Sequence, residues 1–286
     1  MKKTTLLLII TICTQSFAQT ENIGEQITLK NLKNHIMVLA SDSLEGREVG
    51  QPGEQKAADY MSNYFKSIGI PPYKDSTYYQ NIPLEKRNLE SANININNTQ
   101  YEFKKDFYTY PSFSQTSIKT QEILFLGYGI DSQNYSDYTI NTEGKVIMVF
   151  TGEPKDKNGN YLVSGGKEQC PESNWKIKLN KAKEKGAKAV FFITENYQES
   201  YERAEHKIEH PGVSLTKKEE PTPFFYISKE MAEEILGVKK IERFKKKIKS
   251  KKQSFNKTIN KQLVLETKNR DNFFFGKNVL GFIEGT

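Results

Sequence analysis

Two unbroken apolar strands separated by a lysine-rich helix constrain the fold of this chain more than any other feature. The runs Val146–Phe150 and Ala189–Ile193 are of the kind that a sheet buries on both faces. The segment between them carries apolar residues at helical spacing from Ile177 to Ala182 and then reaches Gly186, which ends the helix. A strand, a helix and a strand in that order predict a right-handed crossover between parallel strands.

Neighbouring segments extend this pattern into an α/β unit over about residues 118–237. Ile123–Leu126 predicts a short strand, which ends at Gly127-Tyr128-Gly129. Phe224–Ile227 predicts a last strand, and Lys229–Leu236 predicts the helix that follows it.

The residues before this unit are predicted to be helical first and strand-like afterwards. The first helix has one apolar face, made by Leu29, Leu32, Ile36 and Leu39. A turn-rich stretch with three glycines follows over 41–53, and Glu54–Ser67 predicts a second helix that Gly69 ends. Apolar residues then alternate with asparagine over 92–97, which predicts a half-exposed antiparallel strand.

The net charge of +7 is unevenly spread, because nine cationic side chains crowd residues 239–252. Ile241, Phe244 and Ile248 fall at helical spacing within this cluster, which predicts a solvated helix with one apolar stripe. A nucleic-acid or membrane-surface patch is the alternative. No stacking aromatics or binding motif accompany the cluster, so we expect no nucleic-acid partner. Residues 262–267 then alternate as a strand does, and 278–286 read as an apolar strand.

The N-terminus has the features of an export signal. Lys2 and Lys3 precede the apolar run Leu6–Cys13, and Ser16-Phe17-Ala18 predicts cleavage after Ala18. We therefore expect a secreted or periplasmic protein. No later apolar run reaches the ~18 residues of a membrane span, so the mature chain should not cross a membrane. Cleavage leaves Cys170 as the one cysteine, which excludes an internal disulfide.

Three segments of the chain occur in a recognisable order. They are Leu39-Ala40-Ser41-Asp42-Ser43-Leu44-Glu45-Gly46-Arg47, then Gly127-Tyr128-Gly129-Ile130 with Gly144-Lys145-Val146-Ile147-Met148-Val149, and finally Lys277-Asn278-Val279-Leu280-Gly281-Phe282-Ile283-Glu284-Gly285-Thr286. Together they resemble the secreted zinc aminopeptidases related to aminopeptidase Y and the transferrin receptor ectodomain. The second segment is similar to the protease-associated domain that these enzymes carry as an insertion. The likeness covers nearly all of the chain after the signal.

The resemblance implies an α/β fold in which edge elements of a zinc-peptidase domain are interrupted by an inserted protease-associated α/β domain. The expected parts are a signal peptide at 1–18, peptidase-domain residues at 19–117, the protease-associated insertion at 118–255, and a return to the peptidase domain at 256–286.

The resemblance also implies an activity for the complete enzyme, which removes N-terminal amino acids from peptides with two zinc ions. In the family the ligands are a His-x-Asp pair, a bridging Asp, a Glu-Glu pair and later residues, all beyond the strand equivalent to 278–286. This chain has three histidines and no His-x-Asp. We therefore expect no catalytic, cofactor-binding or metal-ligand residue here, no activity of the chain alone, and a peptide or protein as partner. The rival interpretation is a non-catalytic binding module.

One metal-binding pattern does occur. His206, Glu209 and His210 match the His-x-x-Glu-His arrangement of one metalloprotease class. On a helix the two imidazoles would share a face and could bind one zinc ion. Pro211-Gly212 would end such a helix at once, and the chain over 197–222 reads as polar and loop-like. We interpret the pattern as part of a charged loop.

The remaining chemical candidates are interpreted as structural. His35 lies beside the apolar face of the first helix. Glu45, Arg47 and Glu48 are expected to hold the glycine-rich loop by charge-assisted hydrogen bonds. Gly127-Tyr128-Gly129 lacks the third glycine of a dinucleotide site, and no Gly-x-Ser-x-Gly elbow occurs.

Overall fold

The chain forms two compact units. The computed structural model describes residues 28–74, 76–156, 158–216, 219–237, 240–251 and 254–285, so the expected signal peptide lies outside the described residues. The smaller unit takes the described residues of Met1–Asn81 and Lys277–Thr286, and the larger unit is Ile82–Gly276. The larger unit contains all of 118–255, whose assignment as an insertion stays a prediction.

The described residues form a mixed α/β structure, as the strand and helix patterns predict. The helices are α1 Leu29–Leu39, α2 Pro52–Ser67, α3 Trp175–Glu184, α4 Tyr197–Glu209, α5 Lys229–Leu236 and α6 Lys240–Lys251. The strands are β1 Tyr79–Ile96, β2 Thr99–Tyr101, β3 Phe107–Tyr108, β4 Thr116–Leu126, β5 Asp131–Ser132, β6 Tyr135–Ser136, β7 Val146–Phe150, β8 Ala189–Thr194, β9 Ser214–Leu215, β10 Phe224–Ser228 and β11 Asn256–Val279. No helix among the described residues has the length and apolar character that crossing a membrane requires.

Nine of the described strands build one sheet in the order β2-β1-β11-β4-β7-β8-β10-β3, with β9 paired to β1, while β5 and β6 pair with each other in a separate two-stranded sheet. Strands β4, β7, β8 and β10 pair in parallel, which confirms the predicted parallel arrangement on both sides of α3. Every residue of β7, β8 and β10 is buried, because helices cover both faces of a parallel sheet.

The prediction of a loop over 197–222 is wrong for its first part, because Tyr197–Glu209 forms α4. Tyr197, Tyr201, Ala204 and Ile208 are buried and lie three or four residues apart. One narrow apolar stripe on a helix is enough to pack it against a sheet. The high average polarity of the segment conceals this stripe.

The lysine-rich segment forms an amphipathic helix, α6, which confirms the predicted helix with one apolar stripe. Ile241 and Ile248 are fully buried in α6, and Phe244 stacks on Phe125 of β4 with ring centroids 5.2 Å apart. The apolar stripe therefore packs on the sheet of the larger unit, while most of the described lysines of α6 face solvent.

The smaller unit contains α1, a 3₁₀ turn over Asp42–Arg47, and α2. Gly53 is required at the start of α2, because a Cβ there would lie 2.0 Å from the carbonyl oxygen of Leu44. The apolar face predicted for α1 is exposed, with 83% of Leu29 and 57% of Ile36 accessible. Helix α1 thus forms as predicted, but its apolar stripe is not buried within the described residues.

The prediction of a strand over 278–286 is wrong beyond Val279, where β11 ends. The following residues bond to an irregular segment through single contacts, Leu280 N to Tyr78 O at 2.7 Å and Phe282 N to Pro71 O at 3.0 Å. Proline cannot donate a ladder hydrogen bond, so Pro71-Pro72 cannot sustain a regular strand pair. Phe282 and Ile283 are exposed.

Candidate functional site

A cleft of about 890 Å³ opens in the larger unit at the ends of parallel strands. Phe150 ends β7, Thr194 ends β8, and Tyr226 of β10 also lines the cleft. The carboxyl ends of parallel strands are the usual ligand-binding edge of an α/β sheet, since the connections leave a crevice there. This cleft is therefore the candidate functional site.

Aromatic rings form one wall of the cleft. Tyr108 and Tyr226 stack with ring centroids 4.9 Å apart, because β3 and β10 pair with these two residues opposite each other. Tyr110 packs edge-on against Tyr226. The Tyr108 hydroxyl lies 2.7 Å from the Ser200 hydroxyl, and burial raises the pKa of Tyr108 to about 12. The wall thus offers neutral rings and hydroxyl groups.

One hydroxyl of the cleft is buried and unsatisfied. Thr194 is 8% exposed, and its Oγ1 has no hydrogen-bond partner among the described residues. The neighbouring Thr151 differs, because its Oγ1 donates to the carbonyl of Ile193 at 3.3 Å. A buried hydroxyl without a partner costs about 1–3 kcal/mol. A polar ligand that reached Thr194 would remove this cost.

Ion pairs frame the opening of the cleft. Lys245 of α6 pairs with Glu195, which follows β8, and Arg203 of α4 pairs with Glu199. The Lys245 ammonium also lies 5.0 Å from the ring centroid of Phe150. Burial lowers the pKa of Lys245. Within each of these two pairs, the positive and negative charges compensate each other.

A buried lysine holds the strand end from which the cleft is built. Lys178 of α3 donates to the carbonyl oxygens of Phe150 at 3.0 Å and Gly152 at 2.6 Å. Desolvation lowers the pKa of Lys178 to about 7, against the opposing effect of Asp137. Phe150 and Gly152 both line the cleft. Lys178 does not line the cleft itself, but it positions the backbone of these two residues.

The Gly127-Tyr128-Gly129 turn wraps a buried carboxylate. Asp137 accepts hydrogen bonds from the amides of Tyr128 and Ile130, both at 3.1 Å. Gly127 and Gly129 adopt φ values of +53° and +65°, and a Cβ on Gly127 would approach the carboxylate to 2.9 Å. Desolvation raises the pKa of Asp137 to about 6. These glycines therefore serve the turn.

Glu153 organises the loop on the other side of the cleft. Its carboxylate accepts from the amides of Val163 at 2.6 Å, Ser164 at 2.8 Å and Cys170 at 2.7 Å. Cys170 is a buried free cysteine, and burial raises the pKa of its thiol to about 12. The thiol is thus protonated and unsuited to nucleophilic chemistry at neutral pH.

The His-x-x-Glu-His residues lie at the end of α4, not in a loop. His206 is in the helix and His210 caps it, with ring centroids 5.1 Å apart, so the helix does end at the second His as expected. Both are exposed. Glu209 is engaged by Lys104 at 2.7 Å, which lowers the pKa of Glu209. The carboxylate that a metalloprotease would use as a base is therefore occupied by an ion pair.

The candidates of the smaller unit make structural contacts. His35 Nδ1 lies 2.7 Å from the Tyr60 hydroxyl, which links α1 to α2. Glu45 pairs with Lys56 at 3.2 Å. Glu54, which no sequence motif marks, accepts a hydrogen bond from the amide of Gly50 at 2.6 Å.

Metal ligands do not cluster in the part of the chain that the structure describes. No group of three or more His, Cys, Asp or Glu side chains there could hold a metal ion. The donor set of the described residues does not fit a centre of two zinc ions, which needs many convergent imidazoles and carboxylates.

Sequence reasoning missed the cleft itself. Its residues come from strand ends, from α4 and from α6, and they are scattered over more than a hundred positions. The available signal was positional, since polar residues directly after Phe150 and Ile193 lie at the carboxyl ends of parallel strands. The aromatic wall also depends on β3, a strand of two residues that no periodicity marks.

Comparison with known proteins gives structural neighbours alone. The chain matches no protein-family model, and no curated protein matches it. An aminopeptidase from Aneurinibacillus sp. strain AM-1 superposes with a TM-score of 0.42 and 14% identity, covering 91% of this chain and 48% of its own. A zinc aminopeptidase from Bacillus subtilis superposes with a TM-score of 0.36 and 14% identity, covering 87% of this chain and 46% of its own. A peptidase M28 precursor from Shewanella amazonensis superposes with a TM-score of 0.35 and 13% identity, covering 91% of this chain and 54% of its own. The chain thus spans about half the length of these structures.

Proposed function

We propose that this chain is the non-catalytic front portion of an exported zinc aminopeptidase, and that its larger unit binds the peptide substrate. The observation that carries the binding role is the cleft at the carboxyl ends of β7, β8 and β10. It combines aromatic rings, charged side chains and the Thr194 hydroxyl, which has no hydrogen-bond partner among the described residues. A peptide backbone and its side chains need this mixture of apolar faces and hydrogen-bonding groups.

The order of the three motifs supports the peptidase context, and so does the smaller unit. Leu29, Leu32 and Ile36 present an apolar stripe on α1 that the described residues leave exposed. An amphipathic helix of this kind normally packs against a further element. In the proposal, peptidase-domain polypeptide that carries the zinc ligands covers this stripe.

The proposal includes location and cofactor. The chain is secreted or periplasmic after cleavage following Ala18, and two zinc ions belong to the complete enzyme rather than to these residues. The chain alone should not hydrolyse aminoacyl-nitroanilides. Turnover that a chelator abolishes would contradict this part of the proposal.

Peptide binding is tested by blocking the cleft. Ser200 lines it, and Ser200→Trp would fill the space beside Tyr108. We expect fluorescence anisotropy with labelled mixed-sequence peptides to show at least about tenfold weaker binding, about 1.4 kcal/mol. Ser250→Trp on the exposed side of α6 is the matched control and should bind as the wild type does. Equal binding by both variants would exclude the cleft.

The rival function is a stand-alone module that binds peptide or protein without any peptidase core. The same cleft favours it, since binding there needs nothing outside the larger unit. The gene sequence downstream of the Thr286 codon separates the two. A frame that continues into a His-x-Asp motif favours the peptidase, and a stop codon with a stable soluble product favours the module.

A further inference from the structure

We propose that the cleft selects acidic peptide segments, and that Lys155, Lys246 and Lys249 recognise their carboxylates. This inference rests on the proposed function, because it names the class of peptide that the same cleft takes. It follows from which charges of the cleft are already paired and which are not.

The carboxylates of the cleft are engaged within the protein. Glu153 is buried and accepts three backbone amides. Glu195 pairs with Lys245, and Glu199 pairs with Arg203. Glu242 lies 3.6 Å from the Lys229 ammonium. These four groups are therefore poor partners for a cationic ligand.

Three ammonium groups of the cleft are left without such compensation. Among the described residues, no carboxylate forms an ion pair with Lys155, Lys246 or Lys249, although all three line the cleft. Lys155 lies instead over the ring of Tyr161, 4.6 Å from its centroid. Lys246 and Lys249 are three residues apart on α6, so they lie on one face of that helix. The unpaired charge of the cleft is positive.

The deeper part of the cleft also favours a negatively charged ligand. Lys245 is largely buried, with 18% of its side chain exposed, and its ion-pair partners are Glu195 and, at 4.0 Å, Glu242, both of which are exposed. Its pKa is lowered by burial, so an additional anion nearby would stabilise its charged form. Thr194 Oγ1 can donate a hydrogen bond to a carboxylate oxygen, since it has no other partner among the described residues.

The dimensions favour a peptide over a simple anion. A space of about 890 Å³ holds several residues, and the stacked rings of Tyr108 and Tyr226 offer apolar area that a phosphate ion cannot use. We therefore assign the aromatic wall to apolar parts of the peptide and the three lysines to its acidic side chains.

The test compares three fluorescently labelled peptides on the full chain. One alternates glutamate and tyrosine, the second has glutamine at each glutamate, and the third has lysine there. We expect the acidic peptide to bind about tenfold more tightly than the glutamine peptide, with the lysine peptide weakest. Added sodium chloride should reduce the preference, because the lysines lie at the solvent-exposed edge.

Paired variants locate the effect. Lys246→Gln with Lys249→Gln should remove most of the acidic preference, measured as the ratio of the affinities for the acidic and the glutamine peptides. Arg243→Gln with Lys247→Gln removes the same charge from the same helix outside the cleft, and it should keep the preference. All four side chains are exposed, and circular dichroism checks that both variants fold.

The outcomes separate this inference from the proposed function. Equal binding of the three peptides, or equal loss in both double variants, would overturn the acidic preference while leaving peptide binding intact. Displacement of the acidic peptide by inorganic phosphate at similar concentration would also overturn it, since the site would then be one for simple anions. Failure of all three peptides to bind would overturn the proposed function itself.

Discussion

At the scale of single residues, Lys178 and Asp137 are the most consequential groups behind the candidate site. Both are buried in the larger unit, with 2% of Lys178 and none of Asp137 exposed. Each is held by backbone groups, Lys178 by two carbonyl oxygens and Asp137 by two amides. Their mutual attraction opposes the desolvation that disfavours both charges. Asp137 holds the turn that follows β4, and Lys178 holds the chain where β7 ends.

Replacing Lys178 by methionine tests this role. Lys178→Met keeps the length of the side chain but leaves two carbonyl oxygens without their donor and Asp137 without its nearby cation. We expect a loss of about 3–5 kcal/mol in the free energy of unfolding, because an uncompensated charge stays buried. Lys176→Met on the exposed side of α3 should change stability by about 0.5 kcal/mol or less. Urea denaturation measures both, and equal effects would contradict a structural role for Lys178.

The same pair predicts a pH dependence of stability. The pKa of Asp137 is raised to about 6, so the folded state binds more protons than the unfolded state below that pH, and stability should fall from pH 4 to pH 6. The pKa of Lys178 is lowered to about 7, so the unfolded state binds more protons above that pH, and stability should rise from pH 7 to pH 9. Urea denaturation across this range should show a minimum near pH 6–7. In Lys178→Met the rise above pH 7 should disappear, and its persistence would show that other groups cause it.

At the scale of elements, helix α4 shows how a polar sequence can still form part of a core. Its four buried residues make one stripe, while the exposed ones are mainly charged. Tyr197 and Tyr201 contact Tyr108, so α4 also supports the aromatic wall of the cleft. Packing of that stripe, rather than composition, determines that the segment is helical.

Ile208→Ala tests the contribution of this stripe. Ile208 is 6% exposed, so its truncation should cost about 2–4 kcal/mol through lost burial and a cavity. Lys207→Ala, at the adjacent exposed position, should cost little. Thermal or urea denaturation compares the two. Equal small effects would show that α4 contributes nothing to the core.

The sequence predicts the fully buried strands better than the strands that are partly polar and exposed. The runs at 146–150 and 189–193 become β7 and β8, since continuous apolar residues can only be accommodated inside. The ends of α1 and α2 agree closely with expectation because spacing and Gly69 mark them. The 24-residue length of β11 was not predicted, since much of it is polar and depends on pairing with β4 and β1. The cleft could not be predicted, because strand order is needed to bring its residues together.

At the scale of the whole molecule, the two units differ in how fully they bury their apolar residues. The larger unit encloses a continuous core from Ala92 to Leu265. The smaller unit leaves apolar residues of α1 and of 282–283 exposed. The larger unit therefore has the core of an independent domain, while our proposal assigns the exposed apolar residues of the smaller unit to contact with peptidase polypeptide.

A peptide that enters the cleft of the larger unit is central to both proposals. The direct measurement is a titration of the isotopically labelled full chain with the acidic glutamate–tyrosine peptide, followed by backbone amide NMR. We predict saturable shifts for Thr151, Thr194 and Ser200 around the cleft, with none in strand β2 at the far edge of the sheet. Saturable shifts confined to surfaces outside the cleft, or none at saturating peptide, would contradict the account.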